Sequence, residues 1–122
     1  MTVVAAVAAL LAGACAEAGA DADIREGAVG LTVRGRGLHV SRVAASVDGH
    51  PADTRGRLVA VGPDGYERTV RGWTYGRPVS AGMTRLTVIV WRINRTFEPG
   101  TRLCAEFSAA AGRACAVIHR AR

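Results

Sequence analysis

From residue 29 onward, short runs of apolar, mostly β-branched residues alternate with Gly, Pro and Asp. Turn signals recur roughly every 8–12 residues, the rhythm of an all-β domain rather than of one with helices between its strands. Leu31 and Val33 alternate with Thr32 and Arg34, Gly35-Arg36-Gly37 breaks the run, and Leu38 and Val40 resume it. Val43, Ala45 and Val47 then carry the apolar face on the opposite parity. A parity switch at Ser41-Arg42 predicts a β-bulge or a strand that changes sheets, because one extra residue turns every later side chain over. Asp48-Gly49-His50-Pro51 closes the segment as a turn.

Residues 57–61 predict the next strand, and residues 66–75 its hairpin partner. Between them Gly62-Pro63-Asp64-Gly65 is the strongest turn in the chain. Pro presets φ there, and Gly65 can take positive φ. Gly76-Arg77-Pro78 and Ala81-Gly82 bound at most a short edge piece, since proline cannot donate to a ladder. Residues 86–93 are apolar on both parities, with Leu86, Val88 and Val90 on one and Ile89, Trp91 and Ile93 on the other. That pattern predicts a central strand, with Val88, Val90 and Trp91 among the most buried residues. Glu98-Pro99-Gly100 is a turn, residues 103–107 alternate, residues 109–112 close a last hairpin, and residues 114–119 form the final strand. About seven strands in such a chain predict an all-β fold, a small antiparallel β-sandwich of immunoglobulin-like type. A small Greek-key barrel is the alternative. The buried Trp between two distant cysteines that marks a true immunoglobulin domain is missing.

In the last hairpin Cys104 and Cys115 fall nearly opposite each other, and cross-strand neighbours lie close to disulfide distance. A Cys104–Cys115 bridge is the expectation. It places the domain outside the reducing cytosol. The third cysteine, Cys15, ends an apolar N-terminal stretch. Residues 3–11 have the length of a signal-peptide core, about 7–15 residues, and are shorter than the roughly 20 a membrane span needs. Small-x-small triplets follow, among them Ala14-Cys15-Ala16 and Ala18-Gly19-Ala20. Residues 1–20 are therefore read as a signal peptide or lipoprotein signal, residues 21–28 as a flexible linker, and residues 29–122 as the β-domain. Leu11-Ala12-Gly13-Ala14-Cys15 resembles a bacterial lipobox, in which the Cys carries the lipid; its loss with a cleaved signal is the other reading. The positive region that opens a signal peptide is missing, which suggests a start further upstream. The membrane is met only through that signal or a lipid anchor.

Charge adds one thing. All 16 basic residues are arginine, against 10 acids. From Gly27 onward, 15 arginines face only Asp48, Asp53, Asp64, Glu67, Glu98 and Glu106. Such a field attracts polyanions. The plainer account is compositional: a chain rich in Ala, Gly, Val and Arg and free of Lys reads as the product of a GC-rich genome, with Arg as its solubilising residue.

Candidate chemistry is sparse. His39, His50 and His119 lie far apart, no CxxC or His pair with metal spacing occurs, and no Ser sits in a G-x-S-x-G elbow. No catalytic residue, metal or cofactor is expected. Asn94-Arg95-Thr96 matches the glycosylation sequon, which carries little in a bacterial chain. Trp73 and Tyr75 are two apart and so share a strand face. Exposed beside Arg71 and Arg77, they would form a stacking platform for sugars or bases; otherwise they fill an aromatic-poor core. Arg34 and Arg36 share a face opposite Leu31 and Val33, which makes them the first candidates for anion binding.

Gly37-Leu38-His39-Val40, Arg95-Thr96-Phe97 with Gly100-Thr101-Arg102-Leu103-Cys104, and Gly112-Arg113-Ala114-Cys115-Ala116 resemble the pattern of small secreted actinobacterial β-domain proteins of uncharacterised function. The resemblance implies export, a β-rich fold and the same cysteine bridge, and no activity. The expected function is a non-enzymatic exported domain that binds at or near the cell envelope. Its ligand would be an anionic polymer or another protein; nucleic acid is not the expected partner. A secreted inhibitor or antimicrobial effector is the alternative, and a small hydrolase is the third reading.

Overall fold

The structure, a computed structural model, describes residues 21–120, so the expected signal segment and Cys15 lie outside the described residues. Alternation sets the architecture. Nine strands occur among the described residues: β1 (Ala22–Glu26), β2 (Val29–Arg36), β3 (His39–Asp48), β4 (Arg55–Val61), β5 (Glu67–Tyr75), β6 (Arg77–Ala81), β7 (Thr84–Thr96), β8 (Arg102–Phe107) and β9 (Ala110–Val117).

They form two antiparallel sheets, ordered β1-β2-β3-β7-β6 and β5-β4-β8-β9. The chain crosses between sheets after β3, β5 and β7. Setting β1 aside, the orders β2-β3-β7-β6 and β5-β4-β8-β9 reproduce the ABED and CFG sheets of an immunoglobulin-like sandwich, with one strand added beside C. The fold is thus the expected all-β sandwich.

Residues 21–28 are not a flexible linker. Ala22–Glu26 pairs antiparallel with β2, Ile24 opposite Leu31. The strand has only two apolar side chains to offer, Ala22 and Ile24, and both pack against the core. Its polar side chains are tied down instead: Arg25 pairs with Asp48, and Thr32 donates to Asp23 at 2.8 Å. These partners lie up to 23 residues away.

The core fills the space between the sheets. Leu31, Val33, Val40, Val43, Leu58 and Leu103 are among its fully buried residues. The parity switch is a β-bulge: Ser41 is the extra residue against β2, and its hydroxyl donates to Arg34 O at 2.9 Å. On the facing strand Asn94 takes positive φ (48°), so that two residues of β7 oppose Ser41.

For β7 the expectation was half right. Trp91 is buried, but Val88 is half-buried and Val90 is 59% exposed. Thr87, Ile89, Trp91 and Ile93 face the core, and the other parity faces outward. The strand has β3 beside it from Leu86 to Thr96, whereas β6 covers only its first part, from Thr84 up to the Arg77–Val88 pair.

Candidate functional site

Strand register brings together arginines that are far apart in sequence. Arg34 lies directly opposite Arg42, and Arg42 opposite Arg92. Their neighbours Val33, Val43 and Trp91 are buried, so the three arginines form one row across the outer face of the first sheet. Strands sit about 4.8 Å apart, so the row spans about 10 Å at the backbone. Arg36 continues the face at the end of β2. There it joins His39, Thr96 and Arg120 around a shallow depression of about 400 Å³. His39 Nδ1 and Thr96 Oγ1 are 3.2 Å apart.

Carboxylates on this face are few: Asp23 on β1, and Asp48 at the end of β3, which pairs with Arg25. Asp23 reaches Arg34 only at 3.4 Å, and Asp21 accepts from the Gly35 amide at 3.1 Å. Among the described residues Arg36, Arg42 and Arg92 have no carboxylate within ion-pair distance. Like charges directly opposite on neighbouring strands destabilise a sheet. The sequence signal for Arg34 and Arg36 was parity alone; Arg42 and Arg92 could not join them without the register.

The outer face of the second sheet is built differently. Trp73 and Tyr75 do not fill the core: they are 48% and 68% exposed on the edge strand β5. Their cationic partners are not Arg71 and Arg77. Arg57 lies 4.9 Å from the Trp73 ring centroid, and Arg55 lies 5.7 Å from that of Tyr75. Arg71 is spent on the main chain, donating to Val70 O at 2.8 Å and to Arg92 O at 2.9 Å. Arg77 belongs to the first sheet, opposite Val88.

Arg57 also donates to Glu106 at 2.8 Å. Arg113 binds the other oxygen of Glu106 and reaches Glu67 at 3.1 Å. A chain of contacts therefore runs Trp73, Arg57, Glu106, Arg113, Glu67, across all four strands. Burial pushes the Glu106 carboxyl up, but the hydrogen bonds and charges of Arg57 and Arg113 together outweigh it and hold the group below its usual range. The hydrogen bond to Glu67 leads the causes that raise Arg113. Within this same outer surface Cys104 and Cys115 are directly paired and bridged, with a Cα–Cα distance of 4.1 Å. Val59 and Val61 pack with them as a small separate cluster.

One depression, of about 300 Å³, does hold a histidine and a carboxylate, His50 and Asp53. Its histidine and its two threonines are already committed. His50 Nε2 lies 3.0 Å from Val79 O, Thr54 donates to Pro51 O at 2.9 Å, and Thr87 donates to Gly49 O at 3.0 Å. These bonds fasten the β3–β4 loop onto β6 and β7. No group of three or more His, Cys, Asp or Glu placed to hold a metal occurs among the described residues.

Set against protein families, characterised proteins and solved structures, the chain finds no match.

Proposed function

We propose that this chain is an exported, non-enzymatic binding domain whose first sheet holds an anionic polymer of the bacterial cell envelope. The observation that carries the reading is the Arg34–Arg42–Arg92 row. Three like charges in register cost stability unless a ligand neutralises them, and the long side chains can meet successive anionic groups of a linear chain. The Cys104–Cys115 bridge supports a site of action in an oxidising compartment. An acidic protein surface is the other ligand this face would accept.

Retention on immobilised polyphosphate and on isolated cell wall, measured against salt, tests the reading. Binding should fall steeply between low and moderate ionic strength, because exposed charges are screened over about 10 Å at 0.1 M. The pair Arg42→Ser and Arg92→Ser should abolish retention and leave the fold intact. Retention that is absent at low salt, or untouched by the double variant, rejects the polymer.

A further inference from the structure

In an antiparallel sheet each residue directs its amide and carbonyl to one neighbouring strand only. Two contacts settle the phase of β7. Gly49 N–H donates to Arg85 O at 2.8 Å on the β3 side, and Arg71 donates to Arg92 O at 2.9 Å on the other side. Odd-numbered residues from 85 to 91 therefore bond β3, and Val88, Val90 and Arg92 point away from it. Arg77 of β6 meets Val88. Beyond that pair the strand position is vacant, because Gly76 N–H donates to Thr54 O at 3.0 Å and carries the chain off to the second sheet. Gly76 is required there: a Cβ would come within 2.3 Å of Thr87 Cγ2.

The Val90 amide, the Val90 carbonyl and the Arg92 amide consequently form a short open ladder with no hydrogen-bond partner among the described residues. Beside it runs a groove of about 410 Å³, lined by Thr74, Tyr75, Arg77, Val79, Val88 and Val90 among others. The vacancy is bounded at its far end by Asn94 and its positive φ. Arg71 occupies one of the four ladder groups, as a side-chain substitute for a strand.

We propose that this edge receives an extended peptide segment of a partner protein, which takes up the strand position that β6 leaves empty between Val90 and Arg92. Strand addition of this kind draws affinity from the main chain and selectivity from alternate side chains. The side chains already present define the sequence. The residue opposite Val90 packs on the exposed Val90 beside half-buried Val88, so it is apolar, and its neighbour along the edge is Arg77, opposite Val88. Two positions away, the residue opposite Arg92 faces Arg92 and Arg42, which have no carboxylate, so it is acidic. The residue between them points inward past Thr74 and is small. Read in the antiparallel direction, the segment is acidic–small–apolar. The site shares Arg42 and Arg92 with the polymer-binding row but draws its affinity from main-chain groups at the edge, so N-methylation of the peptide tests it apart from the polymer reading.

The probe is the peptide acetyl-Thr-Glu-Ala-Val-Thr-amide, titrated into the oxidised domain and followed by amide hydrogen exchange. Binding should slow exchange at Val90 and Arg92 selectively. N-methylation of the peptide valine, which removes its donor to Val90 O, should weaken binding about tenfold. Val90→Pro removes the protein's own donor on a side that β3 does not use, and should have a similar effect. Because the N-methylated peptide is tested on the unaltered domain, a folding defect in Val90→Pro does not blur the result. Replacing the peptide Glu by Lys should abolish binding. No binding at millimolar peptide, or binding indifferent to N-methylation, overturns the proposal. Protection of the same amides without peptide, rising with protein concentration, overturns it in favour of a second copy of this chain.

Discussion

The guanidinium of Arg57 stacks on the Trp73 ring at 4.9 Å. Its other side donates to Glu106, so it is held between an aromatic face and a carboxylate. An indole on an edge strand would otherwise rotate freely; here its orientation is set from beneath. Arg57→Met should keep the bulk, lose both contacts and destabilise the domain by about 1–2 kcal/mol, from the charge-assisted bond and the cation–π contact together. Trp73→Ala should cost less. A double-mutant cycle by urea denaturation measures the coupling, expected near 0.5–1 kcal/mol.

Glu106 should make stability acid-sensitive. Its carboxyl is held below the usual value of 4.5 in the folded chain. The unfolded chain binds a proton first as pH falls, so the stabilisation is complete above that value and is lost as pH drops toward the folded value. Glu106→Gln should lower stability at pH 7 and flatten its decline below pH 4.5. Equal pH profiles for the two proteins would assign the acid response to other groups.

The disulfide joins directly paired residues of one hairpin and closes a short loop. Cys104→Ala with Cys115→Ala should therefore cost about 2–3 kcal/mol, leaving the sandwich folded. Alkylation of the unreduced protein checks the premise: neither cysteine should react.

How far the sequence reached is visible in particular residues. The Pro63-Asp64 turn, the β4–β5 and β8–β9 hairpins and the cysteine pair were legible, because each depends on residues near in the chain. Strand β1 was not, since its amphipathic signal is two side chains and its stabilising partners, Asp48 and Thr32, are distant. Val90 was misjudged because an apolar residue on both parities reads as double burial, whereas β6 ends two residues short of it. The arginine row and the Arg57–Glu106–Arg113 chain exist only through register, which local alternation does not determine.

Glycine 35 offers a sharp test of the bulge. A Cβ there would lie 2.1 Å from His39 O and 2.8 Å from Val40 Cα, both backbone. Backbone cannot yield as a flexible side chain can. Gly35→Ala should destabilise by about 1–3 kcal/mol or more, although Ala suits a strand better than Gly elsewhere. A neutral effect on Tm would mean that the β2–β3 bulge is not held where Ser41 and Arg34 O place it.

The arginine row makes opposite predictions for stability and for binding. Arg42 stands between Arg34 and Arg92 with a like charge on either side. Arg42→Thr removes both repulsions and introduces a residue well suited to a strand. Stability should rise by about 0.5 kcal/mol, a gain of about 3 °C in Tm for a domain of this size. Polyanion retention should fall in the same variant. Because the repulsion is screened, the gain should shrink as salt is added, and a saturating polyanion should reverse it, since the ligand stabilises only the protein that binds it. Thermal melts of both proteins across a salt series, with and without polyphosphate, separate the outcomes. If Arg42→Thr is no more stable at low salt, or retains the polymer as well as the parent chain, the row is ordinary surface charge and the binding face lies elsewhere.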